Sequence, residues 1–167
     1  MKHLILSLSL VTLFFINVAS AEIPKFEQVT DVISRGGRPS TRADIQWLAR
    51  NGYKLIINVE NTMSAVKQEQ AWAKQVGIAE VSFPMTWLEA PTDQQIDGIL
   101  KILADESRGP IYIHCTHGED RTGLVIGLYR VLVQKWDAHK SYDEMIAMGF
   151  HTKFVELEKY FWQRADE

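Results

Sequence analysis

Residues 111–123 read Ile111-Tyr112-Ile113-His114-Cys115-Thr116-His117-Gly118-Glu119-Asp120-Arg121-Thr122-Gly123. Gly109-Pro110 breaks the chain just upstream, and Ile111-Tyr112-Ile113 is a short β-branched and aromatic run, the pattern of a strand. From Thr122 to Gln134 the residues are apolar nearly all round, which predicts a buried helix. Between them lies a short loop with one glycine. A buried strand feeding a buried helix through such a loop is one half of a βαβ unit.

The rest of the chain repeats that alternation. Val29 to Ser34 alternates weakly and predicts a strand ending at Gly36-Gly37. Ser40 or Thr41 can cap a helix to Asn51, with Ile45, Leu48 and Ala49 on one face and Gly52 past its end. Leu55 to Val59 predicts a strand buried on both faces. Ser64 to Val76 predicts a less periodic helix stopped by Gly77, and Ile78 to Phe83 another strand. An irregular loop runs from Pro84 to Pro91. Thr92-Asp93-Gln94-Gln95 forms a capping box, and its helix places Ile96, Ile99, Leu100 and Leu103 on one face. Ser141-x-x-Glu144 predicts a short helix ending at Gly149. Thr152 predicts the start of a last helix, with Phe154, Leu157 and Phe161 inward. Strands alternating with helices predict an α/β fold: a mostly parallel central sheet covered by helices on both faces. In such sheets ligands sit beyond the carboxyl ends of strands, here the end at His114.

The first 21 residues read as an address. Lys2 precedes an apolar run from Leu4 to Val18, and Ala19-Ser20-Ala21 fits a small-x-small cleavage site before Glu22. The expectation is a signal peptide over 1–21 and one domain over 22–167, exported to the periplasm or secreted. No permanent membrane anchor is expected, because the apolar run is short for a span. The 167 residues are 46% hydrophobic and 23% charged, an ordinary globular composition. A net charge of −3 gives no basic field for nucleic acid. One cysteine excludes an internal disulfide framework and a multi-thiolate zinc site. A monomer is expected.

The loop carries the chemistry. Its backbone N–H groups can converge on one point, and the helix start adds its own free N–H groups, so that point suits a phosphate oxyanion. Cys115 opens the loop and lies beneath that point, where positive potential favours the thiolate, the competent nucleophile. Arg121 ends the loop and can fork two donors onto two phosphate oxygens. Thr122 can direct its hydroxyl at the sulfur.

Cys115-x5-Arg121-Thr122, preceded by His114 and followed by Gly123, resembles the signature loop of the cysteine-dependent protein tyrosine and dual-specificity phosphatases. The likeness extends over about residues 25–165. Ser34-Arg35-Gly36-Gly37-Arg38-Pro39-Ser40, Ile57-Asn58-Val59 and the Pro91-Thr92-Asp93 helix start are similar to the small bacterial dual-specificity-like members. The resemblance implies a protein-tyrosine-phosphatase-like fold and hydrolysis of phosphotyrosine, with phosphoserine and phosphothreonine as further substrates, through a phosphocysteine. It implies that the amides of Thr116, His117, Gly118, Glu119, Asp120 and Arg121 bind the nonbridging oxygens, that neither metal nor cofactor is needed, and that the partner is a phosphorylated protein or small phosphomonoester. Inositol phosphates or phosphoinositides are the alternative substrates, and a phosphate-binding module without turnover is the alternative role. Sulfur or arsenate chemistry on a similar loop fits poorly with a single thiol.

The family places an Asp a few residues ahead of a Pro on the loop before the helix that precedes the signature strand. Here Pro84-Met85-Thr86-Trp87-Leu88-Glu89-Ala90-Pro91 contains no Asp. Asp120, Glu89 and Asp93 are the candidate general acids; Asp120 leads, because some relatives carry an Asp just before the signature Arg. His114 is expected to hydrogen-bond the loop backbone and hold Cys115, and His117 to stand at the rim. Arg35 and Arg38 are expected either to reach the substrate or to make turns and ion pairs. Trp87 is expected to fill core or to stack on an aryl phosphate. Trp47, Trp72, Trp136 and Trp162 are expected to pack.

Overall fold

The computed structural model describes residues 23–166; the segment expected to be a signal peptide lies outside them. Strands β1 (Glu27–Gln28), β2 (Ile33–Gly36), β3 (Leu55–Asn58), β4 (Ala79–Ser82) and β5 (Ile111–His114) form one sheet in the order β1-β2-β5-β3-β4. Every pairing is parallel except the β1–β2 hairpin at one edge. β5 is central, flanked by β2 and β3, so the strand that leads into Cys115 is supported on both sides. Ile111 pairs in register with Ile33 and Leu55, and His114 with Gly36 and Asn58.

The period-2 geometry of β3 and β5 explains the two layers of core. Leu55, Ile57, Ile111 and Ile113 face one side, packed under helices α3 (Asp93–Leu103), α4 (Asp120–Leu128), α5 (Ala138–Ala147) and α6 (Val155–Ala165). Ile56 and Tyr112 face the other, against α1 (Arg42–Arg50) and α2 (Met63–Val76). Helices on both faces are what the alternation predicts. The α3 stripe Ile96, Ile99, Leu100 and Leu103 is buried, each side chain contributing roughly 1.5–3 kcal/mol of apolar burial. Thr41 with Asp44, and Thr92 with Gln95, close reciprocal capping boxes, and Gly77 ends α2 in the left-handed region.

Four boundaries differ from the sequence reading. Residues 29–32 turn rather than extend, because the Thr30 hydroxyl accepts from the amides of Val32 and Ile33, leaving the strand to begin at Ile33. α4 starts at Asp120, two residues early, inside the signature loop, and gives way to a wider π turn over Tyr129–Val133. α5 is capped by Asp137, which accepts from the Lys140 amide. Ser141, expected to cap α5, instead donates to the Gly127 carbonyl and ties α5 to α4. α6 begins at Val155 with no side-chain cap, so Thr152 opens nothing and Phe154 is only half-buried.

Candidate active site

The loop between β5 and α4 is held from three directions. Gly118 adopts φ +77°, and a methyl there would overlap the Gly36 carbonyl and come within 2.6 Å of the Gly37 amide nitrogen. The loop therefore lies directly on the backbone after β2. The Arg38 amide donates to the Thr116 carbonyl at 3.1 Å, and Arg35, 2% exposed, donates from Nη2 to the Gly118 carbonyl at 2.7 Å. Burial pulls the Arg35 guanidinium below its ordinary pKa, against the opposing pull of Glu144 and Cys115. The residues expected near the pocket mouth thus act as struts: Arg35 clamps the loop, and Arg38 pairs with buried Glu60 at 2.7 Å.

His114 is wholly buried. Nδ1 lies 3.1 Å from the Cys115 carbonyl, as the sequence reading expects. Nε2 lies 2.9 Å from Glu69 Oε2, close enough for an ion pair though off the line of a hydrogen bond. Glu69 Oε1 in turn accepts from Asn58 Nδ2 at 2.9 Å. A buried polar chain thereby runs from α2 through β3 to the carbonyl of Cys115, fixing the strand end from below.

Cys115 is 2% exposed, and its Sγ accepts the Gly118 amide at 3.3 Å. Among the described residues, the amides of Thr116, His117, Glu119 and Asp120 make no hydrogen bond within the protein. These unpaired donors, followed by the α4 start, form the anion-binding nest the sequence implies. Thr122 does not reach the sulfur: its Oγ1 is fully buried with no hydrogen-bond partner. Thr122 is the third residue of α4. The Glu119 side chain turns away to pair with Lys25, so only its amide is available to a ligand.

Arg121 is 4% exposed. Its Nη1 uses both hydrogens, on Asn61 Oδ1 at 3.0 Å and the Met85 carbonyl at 3.1 Å, and Nη2 donates to Thr116 Oγ1 at 3.0 Å. Nε and one Nη2 hydrogen remain for a ligand, which matches the two-pronged donor expected. The guanidinium carbon stands 5.5 Å from the centre of the Trp87 ring. Trp87 is exposed rather than core. It helps to wall a cavity of about 280 Å³ together with Thr62, Thr116, His117, Asp120, Arg121 and Phe154. Cys115 does not itself wall this cavity; it sits buried one residue before Thr116. A larger, more open depression of about 430 Å³ shares only Thr62 with it and is lined by Arg38, Ser40, Gln68 and Trp72 among others, with no thiol.

Of the three candidate acids, only Asp120 reaches the cavity. It is 9% exposed, and its Oδ1 accepts from the His151 amide at 2.8 Å while lying 3.0 Å from His151 Nδ1. Glu89 lines a neighbouring depression with Thr86 and Leu88, on the far side of Trp87, which walls both. Asp93 accepts from Tyr160 at 2.8 Å and pairs with Arg164 at 3.1 Å; the Tyr160 hydroxyl, aided by Arg164, lowers its pKa. One group among the described residues could offer three donor atoms to a cation, Glu119, Asp120 and His151, all within 4.8 Å. Lys25 already occupies Glu119 and His151 already donates to Asp120, so no metal is assigned there.

Sequence reasoning missed Asn61, Glu69 and His151. Asn58 breaking an apolar strand and the poor periodicity of α2 are the signals that could have found Glu69. Nothing local marks Asn61 or His151.

A parallel sheet whose central strand delivers a lone cysteine into an amide nest closed by an arginine defines the protein-tyrosine-phosphatase-like class. The family model described as DSP-PTPase phosphatase fused to NAD+ kinase matches residues 16–161, and the chain belongs to that family. Dual specificity protein phosphatase TpbA of Pseudomonas aeruginosa is 36% identical over 96 residues, 56% of this chain and 44% of that protein. Inositol diphosphatase DSP5 of Arabidopsis thaliana is 30% identical over 119 residues, 68% of this chain and 56% of that protein. The chain therefore spans about half the length of these curated relatives. A crystal structure of P. aeruginosa TpbA in complex with pTyr superposes with a TM-score of 0.68 at 24% identity, covering 82% of each chain; that likeness bears on the fold. Among the described residues no helix is long and apolar enough to cross a membrane.

Proposed function

We propose that this chain is a cysteine-dependent phosphomonoesterase acting on phosphotyrosine, with phosphoserine and phosphothreonine as further substrates. The observation that carries the reading is the convergence of the Cys115 sulfur, the unpaired amides of Thr116, His117, Glu119 and Asp120, and the two unused donors of Arg121 on one loop. In the reaction Cys115 Sγ, as thiolate, attacks phosphorus in line. The P–O ester bond breaks as the P–S bond forms, and Asp120 gives its proton to the leaving oxygen. Water then attacks the phosphocysteine, loses a proton to the Asp120 carboxylate, and the P–S bond breaks to return the thiolate and release phosphate. The nest and Arg121 hold the nonbridging oxygens throughout; donors fixed in place before the reaction stabilise a phosphoryl-transfer transition state without having to reorganise.

Trp87 and Phe154 on the cavity wall suit an aryl ester, and TpbA, whose structure was solved with pTyr, supports the same choice. Relatives named inositol diphosphatases support the second reading, an inositol phosphate substrate. Against it, the wall carries a single arginine and an aspartate, and the nearby cation Lys25 is already paired with Glu119.

The test is phosphate release by residues 22–167 from a phosphotyrosyl peptide, a phosphothreonyl peptide and an inositol polyphosphate, all in EDTA. Turnover of the first that vanishes in Cys115→Ser supports the proposal. No turnover with retained phosphopeptide binding favours the module without catalysis, and preference for the inositide favours the second reading. We also propose export from the cytosol, supported by the apolar run Leu4–Val18 and Ala19-Ser20-Ala21. A mature N-terminus at Glu22 in the extracytoplasmic fraction is the expected result.

A further inference from the structure

We propose that His151 is a positioning residue for Asp120, orienting its carboxyl group and stabilising the charge it gains on giving up its proton. The inference rests on the reading of Asp120 as the acid. His151 follows Gly149, at φ +95°, on the turn between α5 and α6. Two of its groups meet one oxygen: the backbone amide donates to Asp120 Oδ1 at 2.8 Å, and ring Nδ1 lies 3.0 Å from the same atom. The ring is itself held edge-on by Phe154, with centroids 6.0 Å apart and planes at 80°, and Phe154 walls the catalytic cavity. His151 is therefore fixed relative to both the acid and the place a substrate occupies.

With the His151 ring in its Nδ1–H tautomer, Oδ1 accepts from both the amide and the ring, so the transferable proton sits on Oδ2. The Nδ1–H proton stays on the ring. As Asp120 gives its proton to the leaving oxygen, negative charge grows on the carboxylate, and both hydrogen bonds to Oδ1 strengthen. They stabilise the transition state more than the ground state, which is the condition for acceleration. The same bonds hold the carboxylate in place to take a proton from water in the second step. A backbone amide alone supplies one of the two donors, so removing the ring weakens the arrangement without abolishing it.

The consequence is a dependence on the leaving group. A phenolate of low basicity, as from para-nitrophenyl phosphate, needs little protonation; phenolate from phenyl phosphate needs more. His151→Ala is expected to lower kcat/KM about tenfold on phenyl phosphate and less than about twofold on para-nitrophenyl phosphate, a fraction of the range that acid catalysis spans. In an Asp120→Asn background the His151→Ala effect on phenyl phosphate disappears. His151→Asn, whose amide N–H can replace Nδ1–H, restores most of the rate. Equal losses on both substrates, an undiminished loss in Asp120→Asn, or no rescue by Asn each overturns the proposal. If Asp120→Asn itself keeps full activity on phenyl phosphate, it is the assignment of the acid that falls; an impaired Asp120→Asn beside an unimpaired His151→Ala removes this inference alone.

Discussion

Replacing Gly118 with alanine separates backbone strain from the close approach that shapes the loop. Gly52 and Gly118 both have positive φ, +87° and +77°. At Gly52 an added Cβ meets nothing within 4 Å, so alanine there pays only the left-handed conformation, about 1–2 kcal/mol. At Gly118 the same methyl overlaps the Gly36 carbonyl and comes within 2.6 Å of Gly37 N. Those backbone atoms cannot step aside: the Gly37 amide donates to the Pro24 carbonyl at 2.7 Å, and its carbonyl accepts from Tyr112 at 2.6 Å. Overpacking adds about 1–3 kcal/mol, so Gly118→Ala should cost about 2–5 kcal/mol. The loop moves instead, carrying the amide off the Cys115 sulfur and the carbonyl off Arg35, and a displacement near 1 Å lowers turnover about 100-fold. Urea unfolding followed by circular dichroism gives the stabilities, and para-nitrophenyl phosphate hydrolysis gives the rates. A Gly118→Ala protein no less stable than Gly52→Ala, with wild-type kcat, would show that the close approach to Gly36 and Gly37 does not shape the loop.

Two further outcomes are expected. Trp87→Ala removes the ring facing Arg121, a contact worth about 0.5–1 kcal/mol at an exposed site. KM for aryl phosphates should rise about two- to fivefold with kcat little changed; a large fall in kcat at constant KM contradicts it. Burial raises the Glu80 pKa from 4.5 to about 6, so the folded state binds its proton more tightly than the unfolded chain does. Stability from this group is complete below pH 4.5 and is lost as pH rises through about 6. Because Glu80 is only partly buried, the loss is about 1 kcal/mol or less. Glu80→Gln should be the more stable protein at neutral pH and should show a flatter stability profile between acid and neutral pH in urea titrations.

The nucleophile loop was legible because its chemistry is local. Strand, cysteine, glycine and arginine fall within one short segment, and each type has a backbone or electrostatic reason to be there. The two-sided sheet was legible from the buried run at Leu55–Asn58 and the stripe on α3. Helix starts at the C-terminal end were not, since Ser141 and Thr152 carry capping side chains that tertiary contacts use otherwise or not at all. The Thr122 hydroxyl was expected at the sulfur, but it is buried without a hydrogen-bond partner, a detail of side-chain placement that spacing along the chain does not fix. The choice between Asp120, Glu89 and Asp93 needed coordinates, because it depends on where Tyr160, Arg164 and His151 arrive from distant segments. Arg35 was ambiguous for the same reason: only the fold shows that its carbonyl partner is Gly118.

The proposed reaction passes through a covalent phosphoryl–sulfur bond at Cys115. Rapid acid quenching during turnover of a phosphotyrosyl peptide, followed by mass spectrometry of the digested protein, tests it directly. The expected result is one added phosphoryl group on the peptide that carries Cys115, absent from Cys115→Ser. Phosphate release at an undiminished rate by Cys115→Ser, or turnover with the label on any other residue, contradicts it.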